Sequence, residues 1–291
     1  MKISYYPGCT LKTKAKNLED AAVASKVALN IDFQELPRWN CCGAVHSLAD
    51  DDLIHHVAPV RDLIRVMEQG NRKVVTLCSM CYNTLARANL LMREDVEKRK
   101  TINDFMDEEI DYHGEVEVAH FLNLLRDEIG WKKLGEKIKT PLKDLKVAPY
   151  YGCTLLRPRD VSIEPPGCHK ILREFLEALG ATVVEFPEDA LCCGSYQIIS
   201  RPEAALEAAA TILESASKRG AEALVLSCPL CEFNLGKKQE EILKNERIPK
   251  EMPTFYFTQL LAAALGLAPE VCCFELNEKS SLELLKSKKI M

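Results

Sequence analysis

Lys73-Val74-Val75-Thr76-Leu77-Cys78-Ser79-Met80-Cys81 is a short apolar run that stops at two cysteines three positions apart. Such a run, ended by a break, reads as a buried strand. The phrase returns as Ala223-Leu224-Val225-Leu226-Ser227-Cys228-Pro229-Leu230-Cys231, a shift of about 150 residues. Tyr5-Tyr6-Pro7-Gly8-Cys9-Thr10-Leu11 is answered by Tyr150-Tyr151-Gly152-Cys153-Thr154-Leu155. Asn40-Cys41-Cys42-Gly43 is answered by Leu191-Cys192-Cys193-Gly194, and Asn83 by Asn234. His120-Phe121-Leu122-Asn123-Leu124-Leu125 is answered more faintly by Tyr256-Phe257-Thr258-Gln259-Leu260-Leu261. Blocks repeated in one order mark an internal duplication.

Between the strands run helical patterns. Leu18 to Leu29 and Leu53 to Glu68 carry apolar residues at three-and-four spacing, and so do Lys170 to Leu179 and Pro202 to Lys218. Further strands are expected at Lys2 to Tyr6, Val147 to Tyr151 and Thr182 to Phe186. The predicted fold class is therefore α/β: two tandem pseudo-symmetric domains, each a small, mainly parallel sheet flanked by helices. Expected boundaries are residues 1–135 and 145–270, followed by a C-terminal tail at 271–291. The polar, Lys-rich stretch from Gly130 to Asp144 reads as the linker. In open α/β sheets ligands gather at the carboxyl ends of the strands. Cys9, Cys78 and Cys81 lie just past strands, as do Cys153, Cys228 and Cys231.

The bulk numbers narrow the chemistry. Hydrophobic residues make up 47% and charged residues 28%, as in a globular protein. A net charge of -5 argues against a general nucleic-acid binder. No uninterrupted apolar stretch is long enough to span a bilayer. The start, MKISYYPGCT, lacks the apolar core of a secretory signal, so a cytoplasmic protein is expected. In a reducing compartment, thirteen cysteines point to metal rather than disulfides.

Each half reads Cys, then Cys-Cys-Gly, then Cys-x-x-Cys, with gaps of 31 and 35 residues in the first half and 38 and 34 in the second. A structural zinc site closes with four ligands, and a cubane iron–sulfur cluster takes four thiolates. Five thiols, twice over, exceed both needs. The excess suggests a cluster of unusual shape, or a ligand able to leave and open a coordination site. The glycine after each Cys-Cys pair lets the chain turn so that both side chains approach one core.

The doubled pattern resembles the cysteine-rich CCG-domain family, and within it the CCG-repeat subunit of heterodisulfide reductase from methanogenic archaea. The likeness runs from Cys9 to about Leu267. It implies two noncubane [4Fe-4S] clusters. One would be held by Cys9, Cys41, Cys42, Cys78 and Cys81, the other by Cys153, Cys192, Cys193, Cys228 and Cys231. It also implies a substrate, the mixed disulfide of coenzyme M and coenzyme B, reduced to two thiols. No ferredoxin-type cysteine run is present in the sequence. Electrons would then come from a separate ferredoxin-like subunit of heterodisulfide reductase, with the flavin-containing subunit behind it. The same family includes electron-transfer subunits of quinone- and hydroxyacid-linked oxidoreductases, which is the alternative function.

Around the cysteines, Lys12 and Lys14, with Arg157 and Arg159 at the matching place, are candidate contacts for anionic substrate tails, where a strand is expected to lead into a helix. His46, matched by Gln197, is the candidate proton donor. Cys168 is expected to open a helix, where a thiol pKa falls. Cys272 and Cys273 lack the following glycine and read as structural. His55, His56, His113, Trp39 and Trp131 read as packing or surface residues.

Overall fold

The computed structural model of the chain describes residues 1–44, 53–244 and 246–291. The first half runs β1 (Lys2–Tyr5), α1 (Lys16–Leu29), β2 (Asp32–Glu35), α2 (Ile54–Glu68), β3 (Lys73–Thr76), α3 (Ser79–Glu94), α4 (Val96–Phe105) and β4 (Glu117–His120). Helices α5 (Phe121–Leu124) and α6 (Trp131–Glu136) follow. The second half runs β5 (Lys146–Pro149), α7 (Ile171–Ala178), β6 (Thr182–Val183), α8 (Pro202–Lys218), β7 (Ala223–Leu226), α9 (Pro229–Glu232), α10 (Gln239–Leu243), β8 (Thr254–Tyr256), α11 (Phe257–Ala264) and α12 (Lys279–Ser287).

Each half builds a four-stranded sheet, in the orders β2-β1-β3-β4 and β6-β5-β7-β8. All pairings are parallel. The strands read as continuous apolar runs because helices cover both faces; Val74, Val75, Leu224 and Val225 are fully buried. The expected α/β class with two similar sheets is what the chain adopts. The central pairing fixes the register of the repeat. Tyr6 N donates to Val75 O at 2.9 Å, and Tyr150 N donates to Val225 O at 2.8 Å. Tyr6 therefore matches Tyr150, and Pro7 matches Tyr151. The sequence echo, drawn through the doubled tyrosines, sits one position off there because tyrosine doublets are alike while only one ring of each packs beside the cysteines.

The halves interlock. Helix α1 packs on α11, where Thr258 Oγ1 donates to Leu18 O at 2.8 Å, and Asn17 Nδ2 of α1 donates to Asn277 Oδ1, just before α12, at 2.9 Å. The stretch from Gly130 to Asp144 is more than a linker. It carries α6, buries Leu134 and Leu142, and sets Trp131 Nε1 on Glu174 at 3.0 Å. Residues 271–291 are likewise packed rather than trailing. Cys272 and Leu285 are fully buried, and Asn277 Nδ2 donates to Thr254 O at 2.9 Å.

Candidate metal centre

The cysteines sit where parallel strands end. Cys9 follows β1 through Gly8, and Cys153 follows β5 through Gly152; both glycines have positive φ. A Cβ at Gly8 would lie 2.9 Å from Cys81 Sγ, closer than a carbon can come, so the thiol occupies the space that glycine leaves. Cys78 is the extended residue that caps α3, and Cys81 lies in its first turn. Cys228 and Cys231 repeat this at α9. Cys41-Cys42 and Cys192-Cys193 lie on the loops after β2 and β6.

The thiols of each half form a chain. In the first, Cys9 Sγ lies 3.5 Å from Cys41 Sγ, and Cys42 Sγ lies 3.7 Å from Cys81 Sγ. Cys41 and Cys42, and Cys81 and Cys78, are near enough for their thiols to shift one another's pKa. In the second, Cys193 Sγ lies 3.4 Å from Cys231 Sγ, and the same nearness holds for Cys153 with Cys192, Cys192 with Cys193 and Cys231 with Cys228. Across the seam, the Cys78 and Cys228 thiols are near enough to shift each other's pKa. Cys9 and Cys41 are exposed and Cys153 and Cys192 partly so, whereas Cys78, Cys81, Cys228 and Cys231 are buried. Two nests thus open outward at one end and abut at the other.

Sharing protons along these chains polarises the thiols. Cys41 and Cys81 hold the Cys42 thiol well below its usual range despite burial. Cys228 and then Cys81 do the same for Cys78. Cys192 is lowered chiefly by Cys153 and Cys193, and its sulfur accepts from Gly194 N at 3.4 Å. Cys41, Cys81, Cys153 and Cys231, the donors, are raised. Thiolates are the form that metals take.

Polar groups that the sequence reading passed over hold the nests. Tyr6 OH donates to Asn40 O at 2.8 Å and Tyr150 OH to Leu191 O at 2.6 Å, so each ring ties down the residue before its Cys-Cys pair. Their position relative to Gly8 and Gly152 was the available signal. In the first half a buried acid group adds to the grip: Asp62 Oδ1 accepts from Asn40 N at 2.9 Å, and burial pushes the Asp62 carboxyl up to about 8. His120 is fully buried, and its Nε2 lies 2.9 Å from Leu77 O, just before Cys78.

At the seam, Ser79 N donates to Ser227 O at 3.2 Å, and the two hydroxyls lie 2.5 Å apart. Tyr196 OH lies 3.0 Å from Met80 Sδ. Asn83 and Asn234 are not equivalent. Asn83 Nδ2 crosses the seam to Thr154 O at 2.9 Å and Arg157 O at 2.6 Å, while Asn234 Nδ2 stays within its half on Cys193 O at 2.8 Å. Counted from the second cysteine of each Cys-x-x-Cys turn, Asn83 stands two positions on and Asn234 three, so they face different neighbours.

The other candidates fare unequally. Lys12 Nζ is neutralised by Glu19 and Glu35, each at 2.7 Å, which removes it as a free anion contact. Lys14 is exposed in the turn before α1. Arg157 and Arg159 are exposed; turns follow Cys153, Arg159 opens only a single 3-10 turn (Arg159–Val161), and α7 begins at Ile171. The charge of Arg157 reaches Cys192 and helps to lower its thiol. Cys168 lies in the turn before α7 and does not open it, because Glu164 accepts the N–H groups of Lys170 and Ile171 there. Cys273 Sγ contacts Asp20 Oδ2 at 3.4 Å, and buried Cys272 contacts Gln259 O at 3.8 Å. Trp39 Nε1 donates to Glu35 at 3.1 Å. His46 lies outside the described residues. Among the described residues no group of three or more His, Cys, Asp or Glu is arranged to hold a single metal ion. Thiols strung along a chain suit a polynuclear core better than one ion.

The cysteine-rich domain family CCG matches residues 3–86 and 147–236, one copy for each sheet. The chain is 33% identical over 268 residues to the 8-methylmenaquinol:fumarate reductase membrane anchor subunit of Wolinella succinogenes, covering 91% of this chain and 93% of that one. It is 31% identical over 288 residues to a subunit of the ferredoxin:CoB-CoM heterodisulfide reductase of Methanosarcina mazei, covering 98% and 96%. Among solved structures, a hypothetical protein from Helicobacter pylori superposes with a TM-score of 0.76 at 11% identity, over 95% of this chain and 51% of that one. That likeness concerns the fold alone. Among the described residues no helix is long and apolar enough to cross a membrane.

Proposed function

Because this chain belongs to the cysteine-rich CCG-domain family, whose members include heterodisulfide reductase subunits, we propose that it is the catalytic iron–sulfur subunit that reduces the coenzyme M–coenzyme B heterodisulfide to two thiols. Family and relatives imply iron–sulfur clusters; two of them, noncubane and one in each nest, are part of the proposal. The donor set fits: five thiols in each half, with the space beside Cys81 kept open by Gly8.

The observation that carries this reading is the meeting of the two halves at Ser79 and Ser227, the residues next to Cys78 and Cys228. When bound, the clusters supply one electron each, and a disulfide needs two electrons and two protons to become two thiols. The chain's own groups do the rest. Tyr6, Tyr150 and Asp62 fix the Cys-Cys loops, and Ser79, Ser227 and Asn83 fix the distance between halves. Of the four candidate cations, Lys14, Arg157 and Arg159 remain exposed and would meet the anionic tails of the substrate. His46 is retained as the proposed proton donor. The ferredoxin-like subunit of heterodisulfide reductase, with the flavin-containing subunit behind it, would deliver electrons in the cytoplasm. The divisions at 1–135, 145–270 and 271–291 belong to the same proposal.

A second reading has support of its own: the relative at 33% identity is named for menaquinol:fumarate reduction. The same nests would then pass electrons without meeting a disulfide. Anaerobically purified protein, reduced by a low-potential one-electron donor, separates the two. Oxidation of the reduced protein by the heterodisulfide, and not by quinone analogues, is expected. Turnover with quinone alone would replace the first reading by the second.

A further inference from the structure

Tyr196 lies on the short turn Ser195–Gln197, directly after Cys192-Cys193-Gly194. Its ring is half-buried, and its hydroxyl crosses the seam to Met80 Sδ at 3.0 Å. Met80 stands between Cys78 and Cys81, so this contact joins the second Cys-Cys-Gly loop to the first Cys-x-x-Cys turn. A thioether cannot donate, so the phenol must, and it spends its hydrogen on one of the weakest acceptors in proteins. A hydrogen bond to a weak acceptor costs little to redirect. Thiolate sulfur carries charge and accepts more strongly.

The surroundings point the same way. Burial, together with negative charge from Cys153, Cys228, Cys192 and Cys231, raises the phenol well above its ordinary range. A phenol so raised keeps its proton in the presence of a thiolate, which fits a donor and not an acid. Counted from the Cys-Cys pair, the matching position of the first half is Val45, a side chain with no hydrogen to give.

We infer that Tyr196 is the hydrogen-bond donor that receives one substrate sulfur at the seam between the nests, in place of Met80. The inference rests on the disulfide reading above. In that reaction the S–S bond breaks, each sulfur gains one electron to leave as a thiolate, and water supplies two protons. An external iron–sulfur protein restores the electrons, and Tyr196 retains its own proton throughout. With tyrosine at this position in one half and valine in the other, the two sulfurs of an unsymmetrical disulfide meet different groups, which orients it.

The test uses anaerobically purified holoprotein, wild type and Tyr196→Phe, titrated with 2-mercaptoethanesulfonate while the visible and EPR spectra of the clusters are followed. Tyr196→Phe is expected to keep its iron and sulfide, to bind the thiol about tenfold more weakly, the order for one hydrogen bond to a charged group, and to lose kcat to a similar degree. Met80→Leu, which removes only the resting acceptor, is expected to bind the thiol at least as well as wild type. Equal affinity of wild type and Tyr196→Phe overturns the assignment, as does loss of iron in Tyr196→Phe or weaker binding in Met80→Leu, since these mark a seam clamp. A wild-type spectrum indifferent to the thiol sinks the disulfide reading itself.

Discussion

The Ser79 hydroxyl lies 2.5 Å from the Ser227 hydroxyl across the boundary between the two halves of the chain, and their chain neighbours Cys78 and Cys228 are both buried. Each of these cysteines is the first of a Cys-x-x-Cys turn and the extended cap of the helix that follows. The innermost ligand candidates of the two nests are therefore neighbours, while the outermost, Cys9 and Cys153, lie toward solvent.

If each nest assembles independently, a lesion in one spares the other. Cys42→Ala removes a buried thiol beside Cys41 and Cys81. Iron and sulfide per chain are expected to fall to about half of wild type, with Cys193→Ala giving a complementary half. Zinc in place of iron in the wild-type protein would end the argument.

Gly8 and Gly167 separate backbone strain from crowding. Both have positive φ, +76° and +78°, but a Cβ at Gly8 meets Cys81 Sγ at 2.9 Å, whereas at Gly167 nothing lies within 4 Å. Gly167→Ala is expected to cost about 1 kcal/mol and leave the iron content alone. Gly8→Ala should cost more and deplete the first nest. Melting temperatures beside iron analysis check both.

Asp62 accepts from Asn40 N, immediately before Cys41. Asp62→Ala leaves a partly buried N–H without its acceptor, at about 1 kcal/mol. Asp62→Asn keeps an acceptor oxygen and should recover most of that stability. Thermal unfolding of the two variants measures the difference; equal loss in both would show that the charge matters rather than the bond.

His120 supplies a pH dependence. Burial, partly offset by its bond to Leu77 O, pushes it down to about 4 from an ordinary 6.5. Between these values the unfolded chain binds the proton and the folded chain does not. Stability is therefore full above about 6.5 and is lost as pH falls through about 4, by up to roughly 1.4 kcal/mol per unit. An imidazole resonance that stays neutral to about pH 4, and a melting curve whose acid limb flattens in His120→Asn, are expected. Titration near 6.5 would contradict this.

Much of the architecture could be read in one dimension, because strand and helix periodicity are local. The end of β3 at Thr76, one residue before the expected Leu77, and the bounds of α8 from Pro202 to Lys218 follow from an apolar run, a proline start and the glycine at 220. Less could be read where neighbours are distant. Lys12 looks free beside Cys9, yet Glu19 and Glu35 neutralise it from a helix and a strand that only folding brings near. Asn83 and Asn234 look alike, yet one crosses the seam to Thr154 O and the other stays within its half on Cys193 O.

The amino-acid order alone settled the duplication, the alternation of strands and helices, and which ten cysteines belong to the repeat, since all three rest on spacing along the chain. Only the tertiary structure decided that the two halves meet at Ser79 and Ser227, that Tyr196 reaches Met80, and that residues 271–291 are packed against the second sheet. Those relations depend on how two similar sheets dock. Docking is a matter of surface shape and burial between segments far apart in sequence, which no local pattern encodes.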